Sequence, residues 1–238
     1  MAVFGLFFCL PGVSVAEKII VYSSVYPPYQ IDDNGKLTGV NTEIVRAIFQ
    51  DSGIPFEIKY VPWTRAQKYV GHDSRRNSAI YCFGRNKERE GEYKWVGVYF
   101  FQEVRFLTLK GSGVRIDCLD DAKKYRIGLV RGDMAATQLR SRGEVEKYEF
   151  VLDDTQNVKK LFKKRVQAIV TSELAARYIA TENGFDPSQI EGQYEIERGE
   201  FNLALSKKTP DEVCSKLKAS LSKLLNDGTI KRIIADWR

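Results

Sequence analysis

The sequence contains no reactive constellation of the kind that enzymes use to break bonds. Its single histidine, His72, lies in a charged segment with no plausible partners for a Ser/His/Asp arrangement. We find no glycine-rich phosphate loop and no pair of acids at a recognisable spacing. The cysteines after residue 16, Cys82, Cys118 and Cys214, lack metal-ligand spacing. We therefore expect no catalytic residue, metal or cofactor, and either one disulfide with a leftover thiol or three free thiols.

The composition is that of an ordinary globular protein. The 238 residues are 43% hydrophobic and 29% charged, and the net charge is +6 at pH 7. Because the basic residues are scattered and no nucleic-acid motif accompanies them, we interpret this charge as a solvated surface. We expect no nucleic-acid partner.

The one strongly apolar run lies at the front of the chain. It ends before the small residues of Ser14-Val15-Ala16, which Glu17 and Lys18 follow. The run is too short for a bilayer, which needs about 20 apolar residues, and so residues 1–16 are predicted to be a secretory signal peptide. One feature of such signals is missing, because no Lys or Arg precedes the apolar run.

The elements that must position any site alternate between strand and helix. The first unit has predicted strands at Lys18–Ser23, Phe56–Tyr60 and Ala79–Phe83. Asn34-Gly35 predicts a hairpin, and Asn41 or Thr42 is predicted to cap a helix that ends at Gly53. A second helix is predicted from Thr64 to Val70. This alternation is typical of parallel βαβ units.

The same alternation restarts in the second half. Strands are predicted at Arg126–Val130, Phe150-Val151 and Ala168–Val170, and helices after Gly132-Asp133, around Leu161, and behind a Ser172 cap. Two further strands, Val104–Leu109 and Phe201–Leu205, connect the units. The chain ends in a helix that begins at Pro210 and in a short helix with Trp237, both expected to pack on the first unit.

Several short sequence motifs occur in this chain in the same order as in a known family. They are Tyr26-Pro27-Pro28-Tyr29, Gly35-Lys36-Leu37-Thr38-Gly39, Trp63, Glu88-Arg89, Tyr93-Lys94-Trp95-Val96-Gly97, Ile127-Gly128-Leu129-Val130-Arg131-Gly132, and Leu224 to Trp237. Almost the whole chain after residue 16 resembles the type II periplasmic solute-binding proteins of polar amino-acid transporters.

The resemblance implies an α/β fold of two lobes, each a mostly parallel sheet flanked by helices, joined by a two-stranded hinge. Lobe 1 is expected to comprise residues 17–106 and 201–238, and lobe 2 residues 107–200. A small ligand is expected in the cleft, with closure favoured by contacts from both lobes. The implied partners are that ligand and the membrane permease subunits of an ABC transporter, and the implied state is a periplasmic monomer.

The resemblance also implies which side chains hold the ligand. Arg89 matches the position of an arginine that receives the ligand's carboxylate, for which a planar guanidinium is suited. Arg85 competes with it for this role. Tyr26 and Trp63 match aromatic positions that wall the pocket, although core packing is an equal alternative.

Two positions in lobe 2 depart from the pattern of amino-acid binders. Gly132-Asp133 stands where Gly precedes Thr or Ser, and Asp133 either faces the cleft or caps its helix. Thr171-Ser172-Glu173 stands where an Asp pairs with the ligand's ammonium. Glu173 either replaces that Asp or complements the helix dipole. The ligand is therefore expected to be an amino acid or a related carboxylate, with an amine-free acid as the alternative.

Three functions are compatible with these features. The first is capture of a solute for a transporter, and the second is capture by a sensor that signals to a membrane receptor. The third, which the absence of a reactive constellation disfavours, is an enzyme with Glu173 as proton donor.

Overall fold

The computed structural model describes residues 17–71, 75–131, 135–136, 139 and 148–237. The predicted signal segment, His72 and the predicted helix start at Gly132-Asp133 lie outside the described residues.

The described chain forms ten strands and seven α-helices. The strands are β1 (Ile19–Ser23), β2 (Ile31–Asp33), β3 (Lys36–Thr38), β4 (Phe56–Tyr60), β5 (Ser78–Phe83), β6 (Tyr93–Leu109), β7 (Ile127–Val130), β8 (Tyr148–Val151), β9 (Ala168–Ser172) and β10 (Ile190–Ser206). The α-helices are α1 (Val40–Ser52), α2 (Trp63–Val70), α3 (Leu119–Ala122), α4 (Asp154–Phe162), α5 (Glu173–Glu182), α6 (Asp211–Asn226) and α7 (Thr229–Asp236). A 3₁₀ turn spans Pro187–Gln189.

Eight of the strands share one sheet, in the order β4-β1-β5-β10-β6-β9-β7-β8. At one end β1 pairs in parallel with β4 and β5, and at the other β7 pairs in parallel with β8 and β9. The two blocks are joined by β6 and β10, which pair antiparallel with each other. This arrangement confirms the α/β fold with two parallel units and two crossover strands.

The crossover strands are longer than the sequence pattern predicted. Val104–Leu109 and Phe201–Leu205 are only parts of β6 and β10, each of which runs for 17 residues. Their pairing shifts register at several points, between Gly192 and Glu195 for example. Such irregularities interrupt the period-2 alternation from which a strand is predicted. The remaining residues of β6 and β10 were therefore not predicted as strand.

Four apolar clusters fill the two faces of each block. On the first block, one cluster packs α1 and α6 on the sheet around Ile44, Phe49 and Leu217, and another lies under α2 around Phe83. The second block has one cluster on each face. The C-terminal helices therefore pack on the first block, as predicted.

The cap predicted for α1 is wrong. The helix begins at Val40 behind Gly39, whose φ is 108°, and no side chain caps it. A Cβ atom at Gly39 would lie 2.6 Å from the carbonyl oxygen of Tyr29, so only glycine fits. Asn41 and Thr42 are instead buried inside the helix, where their polar groups join the network described below.

The three cysteines among the described residues are free thiols. Cys214 is buried, Cys118 is exposed and Cys82 is half-buried. In the same described part of the chain, no helix has the length and apolar character needed to cross a membrane.

Candidate functional site

A cavity of about 340 Å³ opens where parallel strands of the first block end. Its lining residues come from the end of β1 and the following turn, from β5, from the start of α2, and from β10: Ser23, Ser24, Val25, Tyr26, Gln30, Trp63, Cys82 and Phe201. In α/β sheets, ligands bind outside the carboxyl ends of the strands. This location and the aromatic walls make the cavity the candidate site.

Tyr26 and Trp63, which the sequence placed in the pocket or in the core, both line this cavity. Tyr26 is 38% exposed as a residue, and its hydroxyl accepts a hydrogen bond from Gln102 Nε2 at 3.0 Å. Trp63 is the first residue of α2 and makes an edge contact with Phe83 at 5.8 Å between ring centroids. Two aromatic faces at the mouth suit an apolar or cationic part of a ligand.

The floor of the cavity is polar and uncharged. Ser23 donates a long hydrogen bond of 3.5 Å to the Tyr81 carbonyl, and it accepts one of 3.1 Å from Gln30 Nε2. Ser23 and Gln30 are buried, and Gln30 Oε1 has no hydrogen-bond partner among the described residues. Gln30 Oε1 is therefore a buried acceptor without a recorded partner in the described part of the chain.

Cys82 completes this floor in a strained conformation. Its φ is 57°, in the left-handed region that residues with a Cβ rarely adopt. Its N–H donates to the Tyr99 hydroxyl at 2.9 Å, and its Sγ accepts from Asn41 Nδ2 at 3.3 Å. Burial raises the pKa of the Cys82 thiol to about 12, against a weaker lowering by the Gln30 and Asn41 amides. The thiol is therefore protonated and unreactive at neutral pH.

A second polar layer supports the floor from below. The Thr42 hydroxyl lies 2.6 Å from the Tyr60 hydroxyl and 2.9 Å from that of Tyr81. Burial raises the pKa of Tyr81 well above its ordinary value. Thr42 thus connects α1 to β4 and β5 by hydrogen bonds. These bonds fix the positions of the strand ends next to the cavity.

Arg89 lies beside the aromatic wall. Its guanidinium lies over the Phe83 ring at 4.4 Å, donates to the Gly84 carbonyl at 2.9 Å and reaches Gln67 Oε1 at 3.3 Å. Phe83 thus contacts both Arg89 and Trp63. Arg85 instead forms a two-pronged ion pair with Glu90.

Glu173 lies elsewhere, in a second cavity of about 430 Å³ lined by residues of β6 and α5, by Ser172 at the end of β9 and by Tyr29. Its Oε1 accepts hydrogen bonds of 2.6 and 2.8 Å from Arg177. Its Oε2 is also close to β10, because a Cβ atom at Gly192 would lie 3.1 Å from Glu173 Oε2. The structure thus joins Tyr26 and Trp63 in one cavity and puts Glu173 in another, while Arg89 lines neither cavity and contacts Phe83, the ring that also contacts Trp63. Asp133 lies outside the described residues.

Tyr29 joins the two blocks between these cavities. Its hydroxyl lies 2.7 Å from the hydroxyl of Ser172, whose Oγ also caps α5 by accepting from the Ala175 N–H at 3.1 Å. Its ring makes edge contacts with Phe100 and Phe201, which stack on each other. Burial raises the Tyr29 pKa far above its ordinary value.

Burial raises the pKa of Tyr26 well above its ordinary value, and the carboxylate of Asp154, the first residue of α4 in the second block, contributes much less to this shift. Sequence reasoning missed Gln30 and Cys82 as lining residues of the cavity. Neither belongs to a motif, so only the tertiary structure brings them together.

Fold and cavity together define a class of protein. Two α/β lobes, joined by two long crossover strands and carrying a cavity at the strand ends, form a two-lobed binding protein. The sequence match identifies the family: residues 19–238 match the bacterial extracellular solute-binding proteins, family 3. The chain belongs to this family.

Known relatives agree with this assignment. The L-cystine-binding protein TcyJ of Escherichia coli is 24% identical over 221 residues, which cover 92% of this chain and 81% of the relative. Among solved structures, a substrate-binding domain of GlnP from Lactococcus lactis in an open conformation has a TM-score of 0.75 at 17% identity. The match covers 92% of this chain and 94% of the GlnP domain.

A histidine kinase sensor domain with similarity to periplasmic binding proteins shares the same fold. Its TM-score is 0.69 at 19% identity, and the match covers 92% of this chain and 95% of that domain. At these identities the structural matches establish the fold.

Proposed function

We propose that this protein captures a small solute of the amino-acid class in the cavity lined by Tyr26 and Trp63 and delivers it to the permease subunits of an ABC transporter. The observation that carries this proposal is the placement of both aromatic residues around one cavity at the strand ends. The family and the cystine-binding relative support the ligand class.

In this proposal Arg89 receives the ligand's carboxylate. The guanidinium is held by Phe83, Gly84 and Gln67, and a pre-positioned fork recognises a carboxylate with two parallel hydrogen bonds. Arg85 is engaged by Glu90 and is the weaker candidate.

Glu173 and Asp154 are the two candidates for the partner of the ligand's ammonium. Glu173 forms an ion pair with Arg177, and Asp154 begins α4 in the second block, where its carboxylate has a small effect on the pKa values of Tyr26 and Tyr29. Asp154→Asn is expected to weaken α-amino-acid binding at least tenfold and to spare amine-free analogues, as measured by calorimetry. Glu173→Gln is the control, and a larger loss in that variant than in Asp154→Asn would return the role to Glu173.

The pairing of the two crossover strands supports the proposed division into lobes. Lobe 1 would comprise residues 17–106 and 201–238, and lobe 2 residues 107–200, with the exchange between lobes on β6 and β10. Residues 1–16 would direct secretion into the periplasm, where the mature protein would act as a monomer without catalytic activity.

The experiment that tests the proposal is a thermal-shift screen of the purified protein with amino acids including L-cystine, with polyamines, short peptides and organic acids. A ligand at a hundredfold excess over its Kd stabilises the native state by about 2.7 kcal/mol. A selective shift with one or a few α-amino acids is expected. If only amine-free acids or polyamines produce a shift, the amino-acid assignment is wrong.

A sensor is the second candidate function, because a histidine kinase sensor domain shares the fold. The two functions differ in the membrane partner. Ligand-dependent stimulation of a reconstituted transporter ATPase supports delivery, and ligand-dependent change in a receptor kinase supports sensing.

A further inference from the structure

A group of exposed basic side chains lies at one end of the second block. Lys163, Lys164 and Arg165 follow one another directly after α4. Arg126 comes from a different segment, just before β7, and the pairing of β7 with β9 brings it close to them. Its N–H donates to Gln167 Oε1 at 2.8 Å, and its carbonyl accepts from the Gln167 N–H at 2.9 Å, two residues after Arg165. Basic residues that are scattered in the sequence therefore meet in the fold.

Lys159 extends this group along α4. It precedes Lys163 by four residues, so the two side chains lie on the same face of the helix end. We call the following five residues the basic patch: Arg126, Lys159, Lys163, Lys164 and Arg165. All five are exposed, and none has a recorded ion pair in the described part of the chain.

Acids of the adjoining segments do not pair with the basic patch. Three of them are engaged by other lysines: Asp120 by Lys123, Asp121 by Lys124, and Glu149 by Lys160. The helix dipole favours a basic residue in the last turn of α4, but it does not account for Arg126, which lies on another element. The patch therefore presents five positive charges to solvent.

The shape of the basic patch indicates the kind of partner it suits. Neither of the two cavities described above is lined by a patch residue, so the patch is an open surface of long side chains and not a pocket for one small anion. A membrane that contains anionic lipid is a surface of many negative charges. Each Lys or Arg near such a surface strengthens binding about fivefold.

The basic patch lies away from the contact between the two blocks. It follows the amino ends of β7 and β9, whereas Ser172 at the carboxyl end of β9 contacts Tyr29 of the first block. Gln167 and Ser172 are separated by the length of β9, which is about 17 Å at about 3.3 Å per residue. A flat surface on the patch therefore leaves the cleft accessible.

We infer that the basic patch binds the surface of a membrane that contains anionic lipid and holds the protein there with its cleft free. This inference goes beyond the proposed function. It does not depend on the identity of the solute, because no patch residue lines the candidate cavity.

The test is co-sedimentation of the purified protein with two kinds of vesicle, one of phosphatidylcholine mixed with phosphatidylglycerol and one of phosphatidylcholine alone. Binding is expected only to the vesicles that contain phosphatidylglycerol. Raising the salt from about 0.1 M to about 1 M shortens the Debye length from about 10 Å to about 3 Å, so this binding is expected to fall at least tenfold.

Two double variants show whether the basic patch is responsible. Lys163→Glu with Lys164→Glu is expected to weaken vesicle binding at least tenfold, because two attractive charges become repulsive. Lys207→Glu with Lys208→Glu is the matched control, since it makes the same change in net charge at two adjacent exposed lysines between β10 and α6. This control is expected to change binding less than twofold.

A third variant keeps the test decisive if the first does not fold. Arg126→Gln with Arg165→Gln removes two charges from the same patch without adding acids, and it replaces the lysine pair if circular dichroism finds that pair unfolded. It is also expected to weaken binding at least tenfold.

The remaining outcomes overturn the inference. Equal losses in the patch variant and in the control would mean that net charge alone governs binding. Absence of binding to phosphatidylglycerol, or equal binding to both kinds of vesicle, is incompatible with an anionic-lipid site. Binding to heparin without binding to vesicles, lost in the patch variant, would assign the patch to an acidic polymer. None of these results bears on the proposed function, which the thermal-shift screen tests separately.

Discussion

At the scale of single residues, Arg89 carries the electrostatic part of the proposed recognition. Hydrogen bonds to charged groups contribute about 1.5–3 kcal/mol, which corresponds to roughly a 10- to 150-fold change in Kd. Arg89→Ala is therefore expected to weaken binding of the ligand found in the screen by at least tenfold while the unfolding midpoint in urea changes little. Calorimetry gives the Kd.

Arg85→Ala is the matched control for Arg89, since it removes the same side chain four residues away in the same loop. Its guanidinium is occupied by Glu90, and its loss is expected to change Kd by less than twofold. A larger loss in Arg85→Ala than in Arg89→Ala would transfer the carboxylate anchor to Arg85.

Cys82 links the site to the pH dependence of stability. Its pKa is raised from 9.0 to about 12, because burial disfavours the thiolate in the folded state. Between these two values the unfolded chain releases the proton and the folded protein keeps it, so the free energy of unfolding falls as pH rises above 9. At pH 10 this loss is at most about 1.4 kcal/mol.

Serine does not titrate in this range, so Cys82→Ser is expected to remove that part of the loss. The measurement is urea unfolding at pH 7, 8.5 and 10, with Cys118→Ser as the control at an exposed thiol. Equal slopes of stability against pH in Cys82→Ser and the unaltered protein would mean that the Cys82 thiol ionises freely in the fold.

At the scale of elements, Ser172 at the start of α5 has two structural roles. The Ser172 hydroxyl caps the helix and also bonds to Tyr29 in the opposite block. Asp153 caps α4 in the same way, through the Gln156 N–H at 2.8 Å, and no hydrogen bond across the cleft is recorded for it in the described structure. The two caps therefore form a matched pair.

Ser172→Ala and Asp153→Ala are each expected to lower the free energy of unfolding by about 1 kcal/mol, the usual contribution of a cap. Only Ser172→Ala is expected to weaken ligand binding as well, because it also removes a contact between the lobes. Chemical unfolding and calorimetry measure the two effects. An unchanged Kd in Ser172→Ala would restrict Ser172 to its capping role.

At the scale of the whole molecule, the two strands β6 and β10 connect the two blocks in the described part of the chain, and the lobes can close around them. A ligand favours closure only by as much as it binds the closed state better. Addition of the ligand found in the screen is expected to lower the radius of gyration in small-angle X-ray scattering.

Arg89→Ala at a ligand concentration near the Kd of the unaltered protein is the control for closure, and its radius is expected to stay close to that of the ligand-free protein. If the radius is unchanged in the unaltered protein under saturation, binding does not proceed by closure of the lobes.

The sequence by itself determined the elements and their order. Apolar periodicity located strands such as β1 and β4 within a residue, and turn and cap residues such as Asn34-Gly35 and Ser172 marked where elements begin or end. These signals are local, because a strand or helix buries one face at a fixed period. The resemblance to the family then supplied the two-lobed arrangement.

The tertiary structure alone decided which polar residues share a site. Gln30 and Cys82 are distant in the chain and have no motif, while Glu173, which occupied nearly the right place in the sequence, is paired with Arg177 away from the cavity. Side-chain direction and competition for partners depend on how the strands and helices pack, and a hydrogen-bond chain such as Tyr81–Ser23–Gln30 exists only after residues far apart in sequence are brought within 3.5 Å.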